Sequence, residues 1–200
     1  MKTLKLLLML CAFNCMVVYA QDAKTLFQTG YDFVMNDNYV DGFKYTKKAA
    51  DLGYAPAIAR VGVFYEEGWC VPKDMKQAAK WYQQAADKGD YDGMFYLSRC
   101  YAMENNEGGV PTDKKKSFAL CKKVYNKTHA RLACAELAIK YYFGIGCREN
   151  QKRGKKLAQK AKDAGLDYAM EQIETLDKWT ETFSEILQDT YNTYLNNNEN

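Results

Sequence analysis

Sliding the chain 76 positions along itself lays Arg60–Gly89 on Glu136–Gly165 without a gap. Tyr65 falls on Tyr141, Gly68 on Gly144, Lys76 on Lys152, Lys80 on Lys156, Gln83 on Gln159, Ala85 on Ala161, Asp87 on Asp163 and Gly89 on Gly165. Asp74 meets Asn150, a second residue suited to capping a helix. A third copy lies between them, in the order Leu97, Tyr101, Gly109, Val110, Asp113, Leu120 and Val124, with extra residues from Ala102 to Gly108. A shortened first copy carries Gly30, Phe33, Asn38, Tyr45, Ala49, Ala50 and Gly53. The period is roughly 36 to 39 residues, inside the range of helical solenoids. Such a unit cannot bury its apolar face alone, so neighbours must stack into one continuous core.

Each unit reads as two helices. Ala57, Val61, Gly62, Phe64 and Tyr65 have the spacing of one helix face. A loop, Glu67-Gly68-Trp69-Cys70-Val71-Pro72, separates that helix from the next. The first N–H groups of a helix lack partners, and a side-chain oxygen just before them can accept; Asn38, Asp74, Asp113 and Asn150 hold that place. Gln77 completes a capping-box pattern with Asp74. Ala78, Ala79, Trp81, Tyr82, Ala85 and Ala86 form a small-residue stripe with one aromatic pair, and Gly89, like Gly53 and Gly165, suits the left-handed turn that ends a helix.

The second unit, from Ala57 through Lys76 to Gly89, resembles a Sel1-like repeat: a small-residue first helix, a Y-x-x-G loop with a following Val and Asp, then a helix carrying W-Y and A-A pairs. The fourth unit keeps Tyr141 and Gly144 but has Leu157 and Ala158 for the W-Y pair, and the first and third are degenerate. A tetratricopeptide unit, the nearest rival, is ~34 residues and lacks the glycine-bearing loop. The resemblance implies an all-α, right-handed superhelix of about four helix–loop–helix units with a C-terminal cap. The expected organisation is a signal peptide over 1–20 and one repeat domain over 21–200. Its repeats run near 26–56, 57–92, 93–130 and 131–168, followed by a cap over 169–195 and a disordered tail over 196–200. The cap assignment rests on the stripe Trp179, Phe183, Ile186, Leu187, Tyr191 and Tyr194.

Lys2 and Lys5 precede an apolar run from Leu6 to Val18, broken only by Asn14, and Val18-Tyr19-Ala20 offers a cleavage site. This is the pattern of a secretory signal peptide, so the expected location is periplasmic or secreted. No later stretch is apolar for the ~20 residues a membrane span needs, so no stable insertion is expected after cleavage. Leu10 and Asn14, directly before Cys11 and Cys15, do not suit lipid attachment. The formal net charge is +3, of which Lys2 and Lys5 supply two. That balance argues against nucleic acid, whose binders carry a strongly basic domain, and Lys114-Lys115-Lys116 reads as a solvated helix start.

Catalysis has little to work with, and no catalytic residue, cofactor or metal is expected. His129 is the sole histidine and lies in a polar turn. Ser98, Ser117 and Ser184 stand in no nucleophile motif, and Glu66 and Glu67, being adjacent, do not face one another. Cys70, Cys100, Cys121, Cys134 and Cys147 include no C-x-x-C. Their irregular spacing favours small buried hydrophobes, with a Cys100–Cys121 or Cys121–Cys134 bridge left open.

In tandem helical arrays the first helices line the concave side. If Val61, Phe64 and Tyr65 face the core, one exposed row is Arg60, Tyr96 and Glu136, the next Val63, Arg99 and Ile139, and the third Glu67, Met103 and Phe143. Several are apolar where a merely solvated face would be polar. Arg60, Val63, Tyr96, Arg99, Met103, Ile139 and Phe143 are therefore the expected contact residues for a protein or peptide partner. By resemblance the function expected is an exported scaffold or adaptor. The alternatives are a β-lactam-type ligand binder or hydrolase, as associated with cysteine-rich relatives, and a self-associating envelope component.

Overall fold

A computed structural model describes residues 22–198. The expected signal peptide lies outside the described residues. The described chain is all helical: α1 (residues 22–35), α2 (Tyr39–Asp51), α3 (Ala55–Glu67), α4 (Met75–Asp87), α5 (Tyr91–Ala102), α6 (Lys114–Thr128), α7 (Arg131–Tyr142), α8 (Gln151–Asp163) and α9 (Tyr168–Asn198), with a short 3₁₀ turn at Glu104–Asn106. It forms two compact units, one up to Val124 and one from Tyr125 onward, the division falling inside α6.

Every second helix is capped as its first residue dictates. Asn38 accepts from the Asp41 N–H, Asp74 from Lys76 and Gln77, Asp113 from Lys116 and Asn150 from Arg153. Each such cap contributes about 1 kcal/mol. The cap residues also close their own loops. The N–H of Asn38 donates to the Phe33 carbonyl, Asp74 to Tyr65, Asp113 to Tyr101 and Asn150 to Tyr141. The capping box read at Asp74 and Gln77 is thus half formed, because the Asp74 N–H that Gln77 would receive is already committed to Tyr65.

In the first unit, Ala49, Ala50, Ala57, Ile58, Ala59, Val61 and Ala85 make one core cluster. Val63, Ala78, Ala79, Tyr82, Leu97 and Cys100 make another. Small residues set the helix spacing: a Cβ on Gly62 would come within 2.5 Å of the Tyr82 ring. Ser98 and Ser117, both buried, join α5 to α6 through a 3.0 Å bond from the Ser98 hydroxyl to the Ser117 carbonyl. In the second unit, Ala133, Leu137, Ala138, Tyr141, Leu157, Ala158, Ala161, Ala169 and Ile173 are buried.

One expectation changes. Val63, read as an exposed contact, is 8 % exposed and packs in the second cluster. Its helix has neighbours on two sides, α4 and α5, so the stripe that looked solvent-facing is covered by the next unit. The tail expected over 196–200 passes beyond the described residues, of which Asn198 is the last in α9.

Candidate functional site

The first helices of three successive repeats, α1, α3 and α5, line a groove of about 300 Å³ in the first unit. Phe27, Tyr31, Val63 and Tyr96 give it an aromatic and apolar floor, and Gln28, Arg60 and Asp92 bring polar groups to its walls. Arg60 lies over the Tyr31 ring, 5.7 Å from its centroid, an arrangement that orients a guanidinium without spending its N–H donors.

Tyr96 is fixed from behind. It stacks on the fully buried Tyr82, with centroids 4.9 Å apart and planes at 20°. The Tyr82 hydroxyl donates to Glu66, whose other oxygen lies 3.7 Å from Arg99. Burial, then the Glu66 hydrogen bond, raises the Tyr82 pKa, so its phenol stays a proton donor. Burial raises the Tyr96 pKa as well, with the Arg60 charge opposing it and Asp92 and Glu66 adding to it. Below this network the Cys100 thiol is pushed up to about 12 by burial first and the Glu66 charge second, which leaves it an inert packing group.

Of the residues expected from sequence, Arg60, Val63 and Tyr96 meet at this groove, Val63 as buried floor. Arg99 is tied to Glu66. Met103 sits at the end of α5, where its carbonyl accepts from the Thr112 hydroxyl at 2.6 Å. Ile139 and Phe143 belong to the second unit, where Ile139 is half-buried. Phe143 joins Tyr168, Leu176 and Trp179 around a cavity of about 660 Å³. Phe27, Tyr31 and Asp92 are absent from the sequence-based set. The first repeat is too degenerate to align its first helix, although Phe27 and Tyr31 have the i, i+4 spacing of one face.

The remaining candidates are structural. Cys100, Cys121 and Cys134 are buried, and the Cys134 thiol donates to the Leu157 carbonyl at 3.3 Å. Lys114, Lys115 and Lys116 are exposed in the first turn of α6. His129 is exposed at the end of α6 with φ 53.

Helical pairs repeated along the chain, with a groove between the first helices of the first unit, define a helical-repeat fold. The family model described as Sel1 repeat matches residues 20–54, 55–90, 92–129 and 131–166, and the chain belongs to the Sel1 repeat family. Sel1 repeats commonly serve as scaffolds for protein–protein interaction. A Sel1 repeat protein from Oxalobacter formigenes has a similar structure, with TM-score 0.62 and 28% identity over 72% of this chain and 58% of that one. A protective antigen of uropathogenic Escherichia coli strains displaying an SLR fold gives TM-score 0.66 at 24% identity, covering 76% of this chain and 32% of the antigen. The chitin synthase regulator SKT5 of Malassezia restricta is 28% identical over 85 residues, 42% of this chain. The chain spans only 6% of that regulator's length.

Proposed function

We propose that this chain is an exported, non-catalytic scaffold whose α1–α3–α5 groove holds an extended segment of a partner protein. The observation that carries the reading is the pairing of an aromatic floor with polar groups on its walls. Tyr31 and Tyr96 can clasp an apolar side chain, while Arg60 and Asp92 supply a donor and an acceptor for the peptide main chain. Sel1 repeat proteins are generally non-catalytic scaffolds, which supports the binding role. Export rests on the basic start and apolar run before Gln21. Among the described residues no helix is long and apolar enough to cross a membrane.

The test is capture of partners from the native envelope extract by the wild type and by Tyr31→Ala and Arg60→Glu variants, read by mass spectrometry. One partner enriched by the wild type, and lost from both variants at unchanged thermal stability, is the expected result. Equal capture by all three proteins would refute the groove. Intact-mass measurement of the cellular protein is expected to give a chain that begins at Gln21 or its pyroglutamate, and a retained Met1 would refute export with cleavage.

A further inference from the structure

Helix α9 begins as the first helix of a further repeat. It packs on α7 and α8 as α5 packs on α3 and α4. Placed in the same 76-residue register, Ala169, Met170 and Ile173 stand where α5 has Gly93, Met94 and Leu97, and all six are buried. The correspondence then breaks. Cys100 of α5 is 1 % exposed, in a cluster against which Leu120 of α6 packs, whereas Leu176, its counterpart in α9, is 41 % exposed. Among the described residues no second helix covers α9, which itself runs on to Asn198.

From Lys178 to Gln188 every residue of α9 is exposed, including Trp179 at 72 %, Phe183 at 61 % and Leu187 at 54 %. These three lie four residues apart, so they share one face with Leu176. The edges of that face carry Thr175, Thr180, Thr182 and Ile186, whereas Glu174, Lys178, Glu181 and Glu185, acidic on balance, project from the opposite side. An acidic outer face disfavours an anionic lipid surface, which selects basic amphipathic helices. A face with neutral threonine edges brings no like charges together when it meets itself.

We propose that the chain dimerises through α9, the two helices crossing antiparallel so that each covers the other's exposed face. Phe183 then sits on the two-fold axis and Trp179 of one copy meets Leu187 of the second. The contact is isologous and closes as a dimer. Buried aromatic side chains contribute about 150–250 Å² each. Two copies each of Trp179 and Phe183, with Leu176 and Leu187, thus approach the roughly 1,000 Å² of a specific interface.

Sedimentation of the purified chain across micromolar concentrations tests this. A reversible dimer is expected, with Phe183→Glu weakening it on the order of 30-fold or more, as loss of a central aromatic anchor does. Circular dichroism of the variant is expected to match the wild type, since residue 183 is exposed. Register is tested by mixing: Trp179→Glu and Leu187→Lys chains should each self-associate poorly, yet form a heterodimer together. That mixture pairs glutamate with lysine at one contact and tryptophan with leucine at the other. A wild type that is monomeric throughout would overturn the proposal, even if vesicles or another protein bound α9. So would a dimer indifferent to Phe183→Glu, and a failure of the mixed pair would overturn the antiparallel register.

Discussion

His129 shows how a single side chain can be out of keeping with its position. Gly53, Gly89 and Gly165 end their repeats with φ of 84, 86 and 78, and at the matching end of the third repeat His129 has φ 53. A Cβ in left-handed backbone costs roughly 1–2 kcal/mol, partly returned because histidine loses less backbone entropy on folding than glycine. His129→Gly is therefore expected to stabilise the fold by about 1 kcal/mol, read as a higher urea midpoint at unchanged slope. An equal or lower midpoint would refute the strain. The sequence showed the histidine to be in a turn; its backbone strain was hidden because the third repeat's extra residues blur the register with the three glycines. Val63 was misread for a different reason. Helical spacing separates one face from another, but it does not say how many neighbours a helix has.

The docking of α9 is an element-scale matter. The Tyr142 hydroxyl donates to Asp177, and the Lys155 ammonium lies 2.7 Å from the other carboxylate oxygen. Lys155 first, then Tyr142, holds the Asp177 carboxyl below its ordinary value, and the same bond pushes the Tyr142 phenol up to about 12. A depressed carboxylate pKa adds stability above the unfolded value, about 3.9, and that stability is lost as pH falls through the folded one. Asp177→Asn should therefore lower the melting temperature at pH 7 and make progressively less difference below about pH 4. A pH-independent difference would exclude the ionic contribution. This contact was not legible, since it joins residues from different repeats. The four helix caps were, because a cap depends only on the next three residues.

At the scale of the whole molecule, stability in a repeat chain is a sum of unit and nearest-neighbour contributions. Gly62→Ala offers a local perturbation with a large effect, because its Cβ meets the rigid, fully buried Tyr82 ring. Overpacking of this kind costs about 1–3 kcal/mol, more than the roughly 1 kcal/mol alanine gains in helix propensity. Native-state hydrogen exchange should show lost protection in α3, α4 and α5 with little change in α7 and α8. Uniform loss across all helices would instead mean that the chain unfolds as one cooperative block. The all-helical class was readable from the self-similarity of the chain, while the groove was only half readable, because its α1 wall lies in the least regular repeat.

The bond from each cap residue to an aromatic carbonyl has a consequence for how such a chain can be altered. It joins the ends of the loop inside each repeat at the same two points, whether the span is short, as from Phe33 to Asn38, or long, as from Tyr101 to Asp113. Doubling a flexible loop between fixed ends costs only about 0.6 kcal/mol. Sequence inserted at the exposed Asn105, ahead of Gly108 and Gly109 where the loop packs on the Cys100 and Met75 backbones, would thus leave the helix pairs beneath it undisturbed, making such clasped loops suitable places for an engineered epitope or fluorophore tag.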